Sequence, residues 1–540
     1  MKTTRARRLK RPALFAGSAV GVAATLLALG SGGAVASPAS GGATPIVRID
    51  DGLVRGMTAG TVNEFLGIPY AAPPTGNLRW RPPAPPAAWD GVRDATQFGA
   101  SCPQPASPFA PPGPFSEDCL YLNVYTPTLG GSNDQGGRPV LVWIHGGGLT
   151  QDAGRNYDGS KLAADGTVVV TINYRLGALG FLAHPALASR PGGAAGNYGL
   201  MDQQAALRWV QRNIAQFGGD PHNVTIAGQS AGGLSVLAQM VSPGARGLFQ
   251  RAIVQSGAFA LNQQPLATAE AAGQTFATAV GCPDQSAACL RNVPVSDLVS
   301  KFGVEIPGVV DGSVLTQPIG TALARGQFAR VPVINGITHD EELLFVAGLS
   351  LTVSQGTNIP LAGPAADPAN YQANIAQALG VSAARAAAIA AEYPLSAYPS
   401  PLVAFSLLVS DASFACPALQ VDRWTAARGV PTYAYQFNDD NAPVNIVGAS
   451  LGLSTHGTEL PYLFDQPNAP YPAMLNPDQQ ALAASMRTDW ASFAGTGNPS
   501  SRALPWPSFN GTRVLSLVPL QSQVTTDFAT AHHCSFWAAG

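Results

Sequence analysis

Charged residues are scarce in this chain: Asp, Glu, Lys and Arg together supply 11% of 540 residues, against 46% hydrophobic. A polypeptide so poor in charge and so rich in apolar residues has to bury a large core rather than stay extended. Basic clusters are also missing beyond the first dozen positions, which removes the electrostatic footprint that nucleic-acid binding requires. No low-complexity linker divides the chain, and no repeat of solenoid period recurs in it. Metal-ligand spacing is lacking too. The six cysteines include no Cys-x-x-Cys pair, and His532-His533-Cys534 does not by itself make a zinc site. The expectation is one large globular domain with no metal, no cofactor and no nucleic-acid partner.

The little positive charge there is concentrates at the start. Lys2, Arg5, Arg7, Arg8, Lys10 and Arg11 precede an apolar stretch from Ala13 to Leu29 and the triplet Ala34-Val35-Ala36. These are the three parts of a secretory signal peptide. Gly17, Ser18 and Gly21 interrupt the apolar stretch, which suits a cleaved leader better than a lasting membrane anchor. Arg7-Arg8 leaves the general secretory and twin-arginine routes both open. Residues 1–36 are read as a leader and 37–540 as the mature domain, exported and without a stable membrane anchor; the oligomeric state is left open, a monomer being one option. The leader takes six of the 30 basic residues and none of the 32 acidic ones, so the mature chain is mildly acidic. In an oxidising compartment the six cysteines are expected to form three disulfides, with about 15 pairings open from sequence alone.

The most informative stretch runs from Val224 to Gly233, Val-Thr-Ile-Ala-Gly-Gln-Ser-Ala-Gly-Gly. A β-branched run enters Gly-x-Ser-x-Gly and continues as the apolar helical stretch Leu234–Met240, the strand-turn-helix context of a nucleophile elbow. The five-residue pattern alone is weak, since chance supplies roughly half a match in a chain with this glycine content. A second match, Gly448-Ala449-Ser450-Leu451-Gly452, has no helix-forming run behind it. Context therefore selects Ser230 over Ser450.

Val140–Ile144 and Val168–Ile172 are unbroken apolar runs of strand length, as a parallel sheet requires, and Gln203–Phe217 has helical spacing. Strands alternating with helices predict an α/β fold with a mostly parallel sheet. The first run ends in His145-Gly146-Gly147-Gly148. Backbone free of side chains can aim N–H groups at a developing oxyanion, so Gly147, Gly148 and Ala231 are the candidate oxyanion donors. A base should follow Ser230 at a distance. His456, in a glycine-flanked loop, fits, with His339 as its competitor. The segment Thr338-His339-Asp340-Glu341-Glu342 follows the strand-like Val331–Ile334 and supplies an acid at a strand end.

The chain resembles the type-B carboxylesterases, the α/β-hydrolase family that includes cholinesterases, bile-salt lipases and microbial esterases. The resemblance runs from about Val47 to Trp537. It is carried by Phe65–Ala71, Leu78-Arg79-Trp80, Ser116–Val124, the His145–Gly148 run, Asn173–Phe181, Asn197–Gln203 and Phe217–Pro221 leading into the elbow. It implies a catalytic triad of Ser230, Glu341 and His456, disulfides Cys102–Cys119, Cys282–Cys289 and Cys416–Cys534, and scaffold ion pairs Arg79–Glu117 and Arg175–Asp202. The implied chemistry is hydrolysis of small-molecule carboxylic esters through an acyl-enzyme.

Two departures narrow the substrate. The family usually carries glutamate before the nucleophile, where this chain has Gln229, and the loop Pro103–Asp118 holds no tryptophan for cation–π binding of choline. The same loop has six prolines in 16 residues, which cannot sustain the helical lid of the family's lipases. Soluble short-to-medium or aromatic esters are expected. A lipase of the family, and a non-catalytic adhesion relative, are the alternatives, the latter disfavoured by the intact triad. Gln229, Leu149, Phe109 and Phe115 are candidates for the substrate pocket, and Phe302 and Val304 fall where the family's acyl pocket is expected.

Overall fold

Alternate residues of a single strand enter different cores, which is why the strands read as unbroken apolar runs. In the computed structural model, Arg138–Ile144 sends Val140, Val142 and Ile144 into one hydrophobic cluster and Leu141 and Trp143 into another. A strand covered on both faces has no solvent side to alternate with. The structure describes residues 44–539 apart from 108–110, 112, 130–135, 189–194, 303–307, 347–367, 445–451, 471–472 and 502–503. The described residues fall in one compact unit. The leader read in residues 1–36 and the rival serine Ser450 both lie outside them.

An eleven-stranded sheet organises this unit. Its strands are β1 (Met57–Ala59), β2 (Val62–Pro69), β3 (Tyr121–Thr126), β4 (Arg138–Ile144), β5 (Val168–Ile172), β6 (Gly219–Gln229), β7 (Arg251–Gln255), β8 (Val333–Thr338), β9 (Thr432–Phe437), β10 (Val514–Leu517) and β11 (Gln523–Thr525). They lie in the order β11-β10-β9-β8-β7-β6-β4-β5-β3-β2-β1. From β10 across to β5 all neighbours run parallel. At the edges β11, β3, β2 and β1 pair antiparallel. The expected large, mostly parallel sheet is what the chain builds.

Five helices matter for the site: α1 (Tyr198–Asn213), α2 (Ala231–Val241), α3 (Pro401–Ser410), α4 (Cys416–Ala426) and α5 (Pro477–Thr496). Helix α1 begins five residues before the spacing at Gln203 predicts, and its expected last turn, Ile214–Phe217, is a 3-10 turn closed by Gly218 at φ 82°. Helix α2 packs on the Val140 face. Leu482, Met486 and Trp490 of α5 cover the Trp143 face. The run Pro401–Ala426 is apolar and long enough by composition to cross a membrane. Its side chains are instead spent on the protein's own clusters, Phe405 and Leu408 in one and Leu419 and Val421 in another.

The three disulfides join Cys102 to Cys119, Cys282 to Cys289 and Cys416 to Cys534. Among the described residues, the one His/Cys/Asp/Glu group with ligand spacing is Cys282, Asp284 and Cys289, whose sulfurs the second disulfide uses. Arg175 forms a buried two-pronged pair with Asp202 at 2.7 Å on each prong. Arg79 grips Glu117 at 2.5 and 2.7 Å and donates to the Val293 carbonyl. The first pair ties the segment after β5 to α1, and the second joins two loop segments 38 positions apart.

Candidate active site

The turn from β6 into α2 sets the position of Ser230. The residue sits at φ 58°, ψ −126°, a region that costs roughly 1–3 kcal/mol and survives only where neighbours impose it. They do so through close approach. A Cβ on Gly232 would lie 2.0 Å from the Ile144 carbonyl oxygen, and one on Gly228 would lie 2.5 Å from the Gly232 carbonyl carbon. Only glycine at both positions lets strand and helix meet this tightly beside β4. The Ser230 N–H donates to the Gln255 carbonyl at 2.8 Å, and the Ser230 carbonyl accepts from Leu234.

The glycine run after β4 forms a second tight turn. Gly147 and Gly148 have φ of 82° and 62°, and the Gly147 carbonyl accepts from Thr150 and Gln151. Among the described residues, no hydrogen bond occupies the N–H of Gly147, Gly148 or Ala231. Gln104 holds this turn against the first disulfide loop. Its amide nitrogen donates to the carbonyls of Asp152 and Cys102, and its oxygen accepts from Asp152 N–H at 2.8 Å. His145 plays no part in the opening. Its ring stacks on Tyr174 at 4.4 Å, and burial lowers its proton affinity below the ordinary imidazole range.

On the far side, the loop after β8 and the loop around His456 are tied together. Asp340 N–H donates to the Ser454 carbonyl, and Leu344 N–H to the Thr455 hydroxyl. Within this frame, Glu341 accepts from Thr338 N–H at 2.9 Å through one oxygen and from His456 Nδ1 through the other. Phe345 and Phe414 pack on the His456 ring at 5.0 and 5.4 Å. Burial disfavours the imidazolium, but the charges of Glu341, Glu459 and Glu342 outweigh it and hold His456 above its ordinary range. His339 points elsewhere, bonding Asp340 at 3.0 Å and lying 5.4 Å from the His532 ring.

Two further buried carboxyls stand beside Glu341. Burial, reinforced by the Glu341 charge, lifts both Glu342 and Glu459 to about 7. Glu459 accepts from Gln255 at 3.2 Å, and its other oxygen has no partner among the described residues. A carboxyl raised in this way binds its proton more tightly in the native state than in the unfolded one. Stability is therefore fullest below the ordinary glutamate value of 4.5 and declines as pH climbs to about 7. For one such group the loss is on the order of 3 kcal/mol. Glu459→Gln is expected to raise the thermal midpoint at pH 8 and to change it little at pH 4.5. Unfolding scans at the two pH values check this, and equal shifts at both would refute it.

A cavity of about 410 Å³ opens over these groups. Ser230, His456, Gly147, Gly148, Gln229 and Phe302 all line it. Leu149 does not. At φ 60° its side chain turns into the core beneath the turn, and Thr150 takes the place on the wall. Phe115 is 46% exposed and stands off the cavity. Phe109 and Val304 lie outside the described residues. Sequence reasoning missed Leu298, Phe259, Phe345 and Phe414, which form the apolar wall with Phe302. Leu298 had a usable signal, four residues before Phe302 on one helical face. Phe414 had none. It sits in a π turn, Asp411–Ala415, between α3 and α4, and such turns shift helical phase without a sequence signature.

A central parallel sheet with a strand-elbow-helix at its middle and an acid and a histidine on later loops defines an α/β-hydrolase. The chain belongs to the carboxylesterase family, whose sequence model matches residues 43–537. It is 36% identical to the cocaine esterase of Homo sapiens over 508 residues, covering 90% of this chain and 88% of that one. It is 35% identical to the para-nitrobenzyl esterase of Bacillus subtilis, covering 89% and 96%. Identity to the fumonisin B1 esterase of Sphingopyxis macrogoltabida is 36%, covering 85% and 83%. The protein is a carboxylic-ester hydrolase.

Proposed function

We propose that this hydrolase works through an acyl-enzyme on Ser230. Glu341 holds the proton on Nδ1 of His456, and Nε2 takes the hydroxyl proton as Ser230 attacks the ester carbonyl. The N–H groups of Gly147, Gly148 and Ala231 receive the oxyanion, each donor contributing roughly 10²–10³ in rate. His456 returns the proton to the departing alcohol, and water then releases the acid. The observation that carries this reading is the hydrogen bond from the His456 ring, which lines the same cavity as Ser230, to the buried Glu341 behind it.

Uncharged esters with short-to-medium or aromatic acyl groups are the proposed substrates. Among the described residues, Asp152 is the one carboxylate on the cavity wall, and its oxygens are committed to Tyr157, Asn156 and the Ala153 N–H. With Gln229 beside the nucleophile, the wall among the described residues presents no uncommitted carboxylate to a cation and much apolar surface to a ring or chain. The described part of the proline-rich loop forms no helix, which supports an entrance without an interfacial lid. The leader-like residues 1–36 and the three disulfides support export.

Labelling with a serine-directed phosphonate tests the mechanism. Modification confined to Ser230 is expected, and an unreactive protein would refute it. A panel of acyl lengths tests the substrate class. A jump in rate above the solubility limit of a triglyceride would overturn the lidless reading. The base must be neutral to act, so kcat/KM should fall as pH drops through a midpoint above the ordinary imidazole value of 6.5. A profile flat from pH 5 to 8 would exclude a histidine base.

A further inference from the structure

Gln229 is 3% exposed and forms part of the cavity wall beside Ser230. Its amide nitrogen lies 3.1 Å from Nε2 of His456. The other ring nitrogen, Nδ1, meets the Glu341 carboxylate, which only accepts, so Nδ1 carries the proton and Nε2 presents a lone pair. The contact at Nε2 is therefore an N–H of Gln229 donating to His456. That nitrogen is the one a nucleophilic serine needs. Yet the Ser230 hydroxyl makes no hydrogen bond with any described residue.

We propose that Gln229 is a positioning residue: its side-chain amide holds the Nε2 lone pair of His456 in the resting enzyme and yields that nitrogen to the Ser230 hydroxyl when an ester fills the cavity. The inference rests on the reading of Ser230 and His456 as nucleophile and base.

An amide suits this task because it has two faces. Its N–H matches the neutral ring. Once His456 has taken the serine proton, Nε2 becomes a donor, and a turned amide offers its oxygen instead. Two residues without side chains border the amide. A Cβ on Gly146 would stand 3.2 Å from the Gln229 oxygen, and one on Gly457 would stand 3.8 Å from its nitrogen. Glutamate, usual at this position in the family, can only accept and adds a charge. The titratable groups facing the ring are Glu341 and Glu342 from the loop after β8, and Glu459 three residues along its own loop. All three favour the imidazolium. The Gln229 N–H is the contact that favours the neutral base.

Nitrogen-15 histidine NMR on the unliganded enzyme, run beside pH–rate profiles, tests the proposal in four proteins: wild type, Ser230→Ala, Gln229→Met and Gln229→Glu. The His456 Nε2 resonance should show a hydrogen-bonded acceptor in wild type and stay unchanged in Ser230→Ala. In Gln229→Met it should move to the position of a free acceptor. Loss of one hydrogen bond to the neutral ring should raise the titration midpoint by about half a unit to one unit. Gln229→Glu should raise it further, with kcat/KM at pH 6 down by about 3- to 10-fold. A Ser230→Ala spectrum shifted to the free-acceptor position would make serine the donor and overturn the proposal. So would a Gln229→Met spectrum identical to wild type. Should the Met variant not fold, the Ser230→Ala comparison still decides. Phosphonate labelling separates the two readings. If it fails, the catalytic assignment falls while the Gln229–His456 contact is still measured. If labelling holds and the Gln229→Met spectrum does not move, only the positioning role falls.

Discussion

Ser230→Ala is expected to lower kcat for ester hydrolysis by about 10⁵–10⁶, with little effect on folding. In the proposed mechanism the rate loss is large because nucleophile and base act as a unit. Without the hydroxyl, His456 has nothing to deprotonate and no acyl-enzyme forms, leaving only what the oxyanion donors and the cavity contribute. Stability should be nearly untouched. Alanine keeps the Cβ that already tolerates φ 58°, and the hydroxyl makes no hydrogen bond with a described residue that its loss would orphan. The Ser230 N–H bond to Gln255 and the carbonyl bond from Leu234 are backbone contacts and remain. Steady-state kinetics, phosphonate labelling and a thermal scan give the check. Retention of more than about 1% of activity would remove Ser230 from the nucleophile's role. Ser450→Ala, the control from the other Gly-x-Ser-x-Gly match, should be fully active.

Glu341→Gln should cost about 10⁴ in kcat, through the ring's tautomer rather than through lost contact. The Thr338 N–H donates to Glu341 Oε1 at 2.9 Å and sets which end of the side chain faces the backbone. In the glutamine variant the amide oxygen must keep that bond, so the NH₂ group is left facing His456 Nδ1. Nδ1 is then forced to accept, the ring proton moves to Nε2, and the base has no lone pair for Ser230. Because side-chain shape is preserved, KM should change far less than kcat. A variant within tenfold of wild type in kcat would mean that Glu341 does not set the tautomer. Glu341→Asp separates charge from reach. It keeps the negative charge, but the shorter chain cannot span Thr338 N–H and Nδ1 together, and an intermediate loss is expected.

How far the site was legible depends on the kind of signal each part leaves. Gly228 and Gly232 are readable because a close approach excludes every other residue, so their spacing around Ser230 survives as a pattern. The unbroken runs Val140–Ile144 and Val168–Ile172 are readable because burial on both sheet faces forbids polar alternation. Leu149 was misplaced because a positive φ in the glycine turn reverses the direction of its side chain, and periodicity carries no record of that. Phe414 went unseen because a π turn shifts the helical phase by one residue.

Sequence alone determined the class of fold, the elbow around Ser230, and the residue types able to supply donors, acid and base. Local sterics and burial leave repeating marks along a chain, and these are such marks. Tertiary structure alone decided which atoms meet. It set the Gln104 clamp on the glycine turn and the three carboxyls gathered around one imidazole. It also placed the Gln229 amide on Nε2, where the family's usual glutamate could not donate. Those contacts join residues separated by up to 227 positions. They depend on side-chain direction at loop ends, which no period of 2 or 3.6 records.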